Sequence, residues 1–198
     1  MAIPVSDAEC DAHEPALFDR DPRYDAWLEQ LASLPSAEVF IRKAQLTPPD
    51  GRRLKDLQFQ CEPITVQSVR NNVAQIAERR VLLAEIRGVH IGFCVSATGP
   101  DQSDPLFIQQ VGVVPAAQGR GIGLALLTAA AKQDPLRNIA LATQDSNIAA
   151  RALNENFAEA IGASIKRIRL GLYPDRDLGI TRGLGYRLWF IQRPPVES

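Results

Sequence analysis

Lysine is scarce in this chain. Lys43, Lys55, Lys132 and Lys166 are the only lysines among 22 basic residues, and the others are arginines. Against 23 acidic residues the formal net charge is −1. A chain so near neutrality has no global field for nucleic acid or an anionic membrane surface. Cysteine is scarce too. Cys10, Cys61 and Cys94 are an odd number at no metal-ligand spacing, which reads as reduced thiols in a cytosolic protein, with no metal site. No apolar stretch approaches the ~20 residues that cross a bilayer. The opening MAIPVSDAECDAHE lacks the basic region and apolar run of a secretory signal. There are no internal repeats. These absences predict a soluble cytoplasmic protein with no nucleic-acid or membrane partner.

What is present suits one domain with a real core plus an extension: 198 residues, 45% hydrophobic and 23% charged. We divide it into an N-terminal extension with one helix, residues 1–35, and a main domain, residues 36–198. The first twenty or so residues are acidic with scattered prolines and read as a loose arm. DPRYDAWLEQLASLP then places Asp21 at the cap, Pro22 in the first turn and Pro35 after the end of a helix. Tyr24, Trp27, Leu28, Leu31 and Leu34 share one face of it. AEVFIRKAQL (37–46) alternates like a strand, TPPDGRRLKDLQFQ breaks and turns helical, and TVQSVRNNVAQIAERR (65–80) has helical spacing. Strand-like runs follow at 81–87, 89–97 and 106–114, the first two joined around Gly88 in a tight hairpin. Residues 121–133 predict a helix, 137–143 a strand and 146–163 a helix. Two closing strands, SIKRIRLGL and GYRLWFIQR, flank the loop YPDRDLGITRGLG. This order predicts an α/β or α+β domain with a mixed sheet.

The most informative stretch is VVPAAQGRGIG, residues 113–123. A β-branched run ends at Pro115, glycines fall at 119, 121 and 123, and an alanine-rich helix follows. The first N–H groups of a helix have no internal acceptor, and the dipole adds partial positive charge there. Glycines let a phosphate approach without meeting a Cβ. With Gln118 and Arg120 as added donors, the stretch reads as a pyrophosphate cradle. It is not a P-loop, because Leu124 stands where Lys-Ser/Thr is required, and its spacing is not the Rossmann G-x-G-x-x-G.

The run Val-x-Pro-x-x-Gln-Gly-x-Gly-x-Gly between a strand and a helix resembles the acetyl-CoA loop of the GCN5-related N-acetyltransferases (GNAT). Gln118, Gly121 and Gly123 match its core. FIRKAQLTPPD resembles the family's first-strand signature, and Asn147-x-x-Ala150-x-x-Leu153 the start of a later helix that often touches pantetheine. The resemblance covers about residues 36–193. It implies a mixed, mostly antiparallel sheet splayed between the fourth and fifth strands, with helices on both faces. Pantetheine is then expected beside Val111 and Val113, with Gly112 at a bulge or close ligand approach. The pyrophosphate is expected on residues 118–123, so Gln118, Gly119, Arg120, Gly121, Ile122 and Gly123 join Asn147 and Asn154 as cofactor-binding residues. The activity implied is transfer of an acetyl group from acetyl-CoA to a primary amine of a small molecule or protein.

The resemblance thins where protons must move. Family members often carry a Glu on the strand before the loop and a Tyr in the later helix. Gln110 and Asn154 align there, and neither shuttles protons at neutral pH. Glu85 on a neighbouring strand, His90 and Tyr186 are the substitutes the sequence offers, with Tyr173 also flanking the last loop. The charges of that loop, Asp175, Arg176, Asp177 and Arg182, suit a polar acceptor. The same gaps support another reading, an acyl-CoA-binding sensor or regulatory module without turnover. A third is a transferase using a longer acyl-CoA or acylating a hydroxyl. Trp27, Leu28 and Leu31 on the first helix, with Trp189 and Phe190 on the last strand, offer apolar surface for a homodimer.

Overall fold

The computed structural model describes residues 22–194. The acidic arm, Cys10 and the Asp21 cap lie outside the described residues. The elements are α1 (Pro22–Ala32), β1 (Phe40–Lys43), α2 (Pro48–Gln60), α3 (Val69–Glu78), β2 (Arg80–Ile86), β3 (Val89–Thr98), β4 (Leu106–Val113), α4 (Ile122–Lys132), β5 (Ile139–Gln144), α5 (Ile148–Ala160), β6 (Ser164–Ile168), α6 (Asp175–Leu178) and β7 (Tyr186–Gln192). Pro48 and Pro49 open α2, where their missing N–H groups cost nothing. Ser68 caps α3 by accepting from the Asn71 N–H, and Asn147 caps α5 by accepting from the Ala150 N–H.

The strands form one sheet in the order β1-β2-β3-β4-β5-β7-β6. Every neighbouring pair is antiparallel except β4 and β5, which are joined through α4 and run parallel. That parallel pair is short. Leu106, Phe107 and Ile108 face Ile139, Ala140 and Leu141. Beyond them β4 continues to Val113 beside β3, and β5 to Gln144 beside β7. The sheet therefore splays between its fourth and fifth strands, as the sequence predicts.

Helices cover both faces. A Cβ at Gly92 would meet Leu126 of α4, whereas a Cβ at Gly112 would meet Phe93 and Cys61 at the end of α2. Gly92 and Phe93 are consecutive, so they point to opposite sides of the sheet. Gly51 lets α2 approach α3, since a Cβ there would lie 2.6 Å from a Val73 methyl. Buried Gln58 and Asn72 hydrogen-bond across the same contact at 3.0 Å.

Several expectations are corrected here. The β4 irregularity is at Gln109: Val95 faces Gln110 and Ser96 faces Ile108, leaving Gln109 as the extra residue. Gly112 instead makes room for Phe93 and Cys61. The stretch 173–185, read as a plain loop, contains α6, which Gln109 holds by donating to the carbonyls of Arg176 and Asp177. The apolar face of α1 is spent within the chain. Trp27 and Leu31 are buried in the main core, and Leu28 packs against it. Trp189 lies under Arg151 and Phe190 under Lys166. Trp27 and Leu31 are therefore not surface for a homodimer, whereas Leu28, Trp189 and Phe190 stay half-buried. Cys61 and Cys94 are free and buried, and burial pushes both thiols up to about 12.

Candidate active site at the splay

The splay leaves strand backbone without a partner strand. The Val114 N–H donates to the Ile91 carbonyl of β3. Along a strand these groups alternate in direction, so Val113 and Val111 turn theirs toward the gap. The Val113 carbonyl accepts from Gln118 Nε2 at 3.1 Å. A cleft of about 540 Å³ runs from this edge across Gly119, Gly121, Ile122 and Gly123 to Asn147 and Leu153 of α5. A second, smaller hollow of about 170 Å³ continues it through the gap toward Gln110, Gln144 and Tyr186.

The loop at the cleft floor turns on positive φ. Gly119 has φ +75° and Gly121, the residue that caps α4, φ +74°. An added Cβ at either would meet nothing within 4 Å. The glycines are therefore required by the backbone conformation, and both line the cleft. Gly123 differs. Its Cβ would lie 3.1 Å from Leu153, so its absence serves the packing of α4 on α5. Gln118 braces the loop through Val113. Arg120 lies outside the cleft lining and donates to the Pro35 carbonyl at 3.1 Å.

Val111, Val113, Gln118, Gly119, Gly121, Ile122, Gly123 and Asn147 thus meet along one cleft, and Asn154 lies at its continuation. Asn154 is buried and donates to Thr143 Oγ1 at 2.9 Å. Gln110 also lines the continuation, and its Oε1 is buried without a hydrogen-bond partner.

Two of the three catalytic candidates lie elsewhere. The Glu85 carboxylate accepts from Arg42 Nε at 3.0 Å and Nη2 at 2.8 Å. The same guanidinium binds Asp50 at 2.7 and 2.9 Å, and Asp50 also accepts from the Gln45 N–H and from Arg53. Burial alone would raise the Asp50 carboxyl, but the Arg42, Gln45 and Arg53 hydrogen bonds outweigh it and hold the group well below the usual carboxylate range. His90 stacks flat on Trp27, with ring centroids 4.4 Å apart, and its Nε2 lies 3.6 Å from Asp56. The Trp27 indole N–H donates to the His90 carbonyl. Neither Glu85 nor His90 lines the cleft or its continuation. Tyr186 does. Tyr173 packs edge-on against Phe107, and burial, with nearby Asp104, raises its phenol.

The charges of the last loop pair with one another rather than pointing into the hollow. Arg182 binds Asp175, and Arg176 lies 3.7 Å from Asp177. The sequence reading missed Thr143, the Pro63–Thr65 segment, Thr181 and Leu184 at the hollow. No motif marks them, because three remote segments meet only through the sheet.

Residues 48–157 match the family model described as acetyltransferase (GNAT) family. That match covers more than half of the chain and includes β4, the glycine loop and α5. The chain belongs to the GNAT family. A curated GNAT relative, L-2,4-diaminobutyric acid acetyltransferase of Vibrio cholerae, is 32% identical over 103 residues, 51% of this chain and 58% of that protein. The Vibrio parahaemolyticus protein of the same name is 28% identical over 107 residues, 53% of this chain and 58% of the relative. The matched part thus spans little more than half the length of these relatives. Among solved structures, the diaminobutyrate acetyltransferase of Paenibacillus lautus, in complex with its substrate and coenzyme A, has TM-score 0.64 at 23% identity. It covers 79% of this chain and 96% of that one. The ribosomal-protein-S18-alanine N-acetyltransferase of Escherichia coli has TM-score 0.57 at 18% identity, covering 81% and 96%. These likenesses establish the GNAT fold.

Proposed function

We propose that this protein is an acetyl-CoA-dependent N-acetyltransferase acting on the amine of a small molecule. One observation carries the reading: the β4 edge beyond its short pairing with β5 leads directly into a left-handed glycine loop that lines an open cleft at the start of α4. Val111 and Val113 offer the hydrogen bonds that an amide-containing arm needs, and the residues 119–123 backbone offers an anion cradle at the start of α4. The fit to a pantetheine diphosphate is therefore one of backbone geometry. No metal is needed for this chemistry, and among the described residues no cluster of His, Cys, Asp or Glu is arranged to hold one. Bound acetyl-CoA supplies the activated acyl group. Asn147 and Ala150 wall the arm, while Gln110 and Tyr186 face the point where the sheet opens to the acceptor. Tyr186 is the proton donor to the departing thiolate, being the titratable side chain at the hollow. The curated relatives and the Paenibacillus structure favour a small-molecule acceptor over a protein one.

The neutral Gln110 and Asn154 favour a second reading, a CoA-binding module without turnover. One experiment separates the two. The protein is incubated with acetyl-CoA and a panel of amines, free thiol is read, and melting is followed with and without CoA. Thiol release that depends on the amine supports the enzyme, whereas a CoA-dependent rise in Tm with no turnover supports the module. No rise in Tm at millimolar CoA removes both.

A further inference from the structure

Among the described residues, the hollow beyond the splay has an uncharged lining. None of the residues lining it is Asp, Glu, Lys, Arg or His. Its polar groups are amides and hydroxyls, and Ile64 and the exposed Leu184 give it apolar walls. Tyr186 is its titratable member. The charged groups nearest in sequence are already paired: Asp145 with Arg187 at 2.8 Å, Asp175 with Arg182, and Arg176 with Asp177. Glu62 is exposed on the cofactor cleft and does not line the hollow.

Gln110 is the second observation. It faces Val95, two residues from the Gly112–Phe93 pair, so it lies on the face of α2 and not of α4. Its buried Oε1 has no partner among the described residues. A buried acceptor left unmade is costly, and a carboxamide oxygen is completed only by a donor. Gln110 also lines the hollow, so an N–H or O–H arriving there reaches its carboxamide once the side chain turns.

We propose that the hollow selects an acceptor amine that is already uncharged at neutral pH and has an apolar body, an aromatic amine being the simplest class, and that Gln110 Oε1 receives its N–H. The proposal rests on the acetyltransferase reading above and narrows its substrate. An alkylamine with pKa ~10 is only about 0.1% neutral at pH 7. Its ammonium form enters a neutral site with no carboxylate to replace its water. A zwitterionic diamino acid brings further charges, again without a partner. An uncharged amine needs neither a base before attack nor an ion pair to bind. Its nitrogen forms the C–N bond as the C–S bond breaks. The electron pair passes to sulfur, which takes the Tyr186 proton. The nitrogen's surplus proton returns to Tyr186 through water.

The test measures kcat/KM of the full chain with acetyl-CoA for aniline, benzylamine and L-2,4-diaminobutyrate across pH, reading free thiol. Aniline is expected to exceed benzylamine at pH 7 by at least about tenfold and to stay flat from about pH 6 to 8, whereas benzylamine rises about tenfold per unit toward its own pKa. Gln110→Ala is expected to lower the aniline value about tenfold with the CoA-induced Tm rise unchanged. Gln110→Glu is expected to reverse the preference toward benzylamine, because it puts a carboxylate where an ammonium sits. If diaminobutyrate or benzylamine is faster than aniline at pH 7, the proposal falls and the acetyltransferase reading stands. If CoA raises Tm but no amine is turned over, both fall. A loss beyond a hundredfold in Glu62→Gln, with CoA binding kept, assigns a base to the cofactor cleft and overturns the proposal.

Discussion

Two polar regions of this molecule look alike in sequence and differ in kind. Around Arg42, the carboxylates of Asp50 and Glu85 hold one guanidinium, and Gln45 and Arg53 complete Asp50. The Asp50 side chain is only 2% exposed. Around the splay the side chains are neutral and a buried acceptor, Gln110 Oε1, is left open. The charged region ties β1, α2 and β2 together, and its Asp50 carboxylate is bonded at both oxygens. The uncharged one is incomplete until something arrives. Here the acidic residues signal architecture, and neutral amides and hydroxyls line the site.

The comparison is broken most directly at Arg42. Arg42→Ala strands Asp50 and Glu85, and should cost about 3 kcal/mol of stability by urea unfolding. The CoA-induced rise in Tm should survive in the folded fraction, because the network does not touch the cleft. A cost below about 1 kcal/mol would mean that the network is not closed as described. Next, Gly121→Val forces a β-branched residue into a left-handed conformation, costing roughly 1–2 kcal/mol. It should also abolish the CoA-induced shift. Gly123→Ala sharpens this contrast. It crowds the end of Leu153 but adds a better helix former to α4, so stability should change by less than about 1 kcal/mol while the CoA shift remains. Equal loss of the shift in both variants would refute the division of roles between the two glycines.

Acid provides a third test. The folded Asp50 carboxyl is depressed, so its contribution is fully present above the unfolded value of ~3.9 and is lost as pH falls through the lower folded value. Stability should therefore decline below about pH 4, with a shallower decline in Asp50→Asn measured by thermal melts. An unchanged acid limb in that variant would show that other groups carry it. The smallest effect is expected at Asn154. Asn154→Ala removes one buried hydrogen bond to Thr143, about 1 kcal/mol of stability, and should lower kcat less than about tenfold. A drop beyond a hundredfold with CoA binding intact would make Asn154 a positioning residue for the thioester.

Much of the frame was legible because it is written in local patterns. Pro22, Pro48 and Pro49, the helical spacing within 65–80 and the β-branched runs mark elements within a few residues of where they lie. The glycine loop was legible from its residue types, although the structure gives the reason as φ near +75° at Gly119 and Gly121 rather than the close approach that the sequence suggests. Glu85, His90 and Arg120 misled because a titratable side chain advertises chemistry wherever it stands. Whether it meets solvent, a partner or a ligand depends on residues far away. Glu85 is answered by Arg42, 43 positions earlier, and His90 by Trp27, 63 positions earlier.

The sequence by itself determined the run of strands and helices apart from α6, the glycine loop before α4 and the absence of an ionisable residue where Gln110 and Asn154 stand. Each depends on nearest neighbours along the chain or on residue identity alone. Only the tertiary structure decided that Gly123 serves Leu153, that Gln109 and not Gly112 is the irregular residue of β4, and that Pro63–Thr65, Gln110, Thr181 and Tyr186 enclose one hollow. The physical reason is the splay. Two parallel strands part after three paired residues, and what fills the gap is contributed by segments that no local pattern connects.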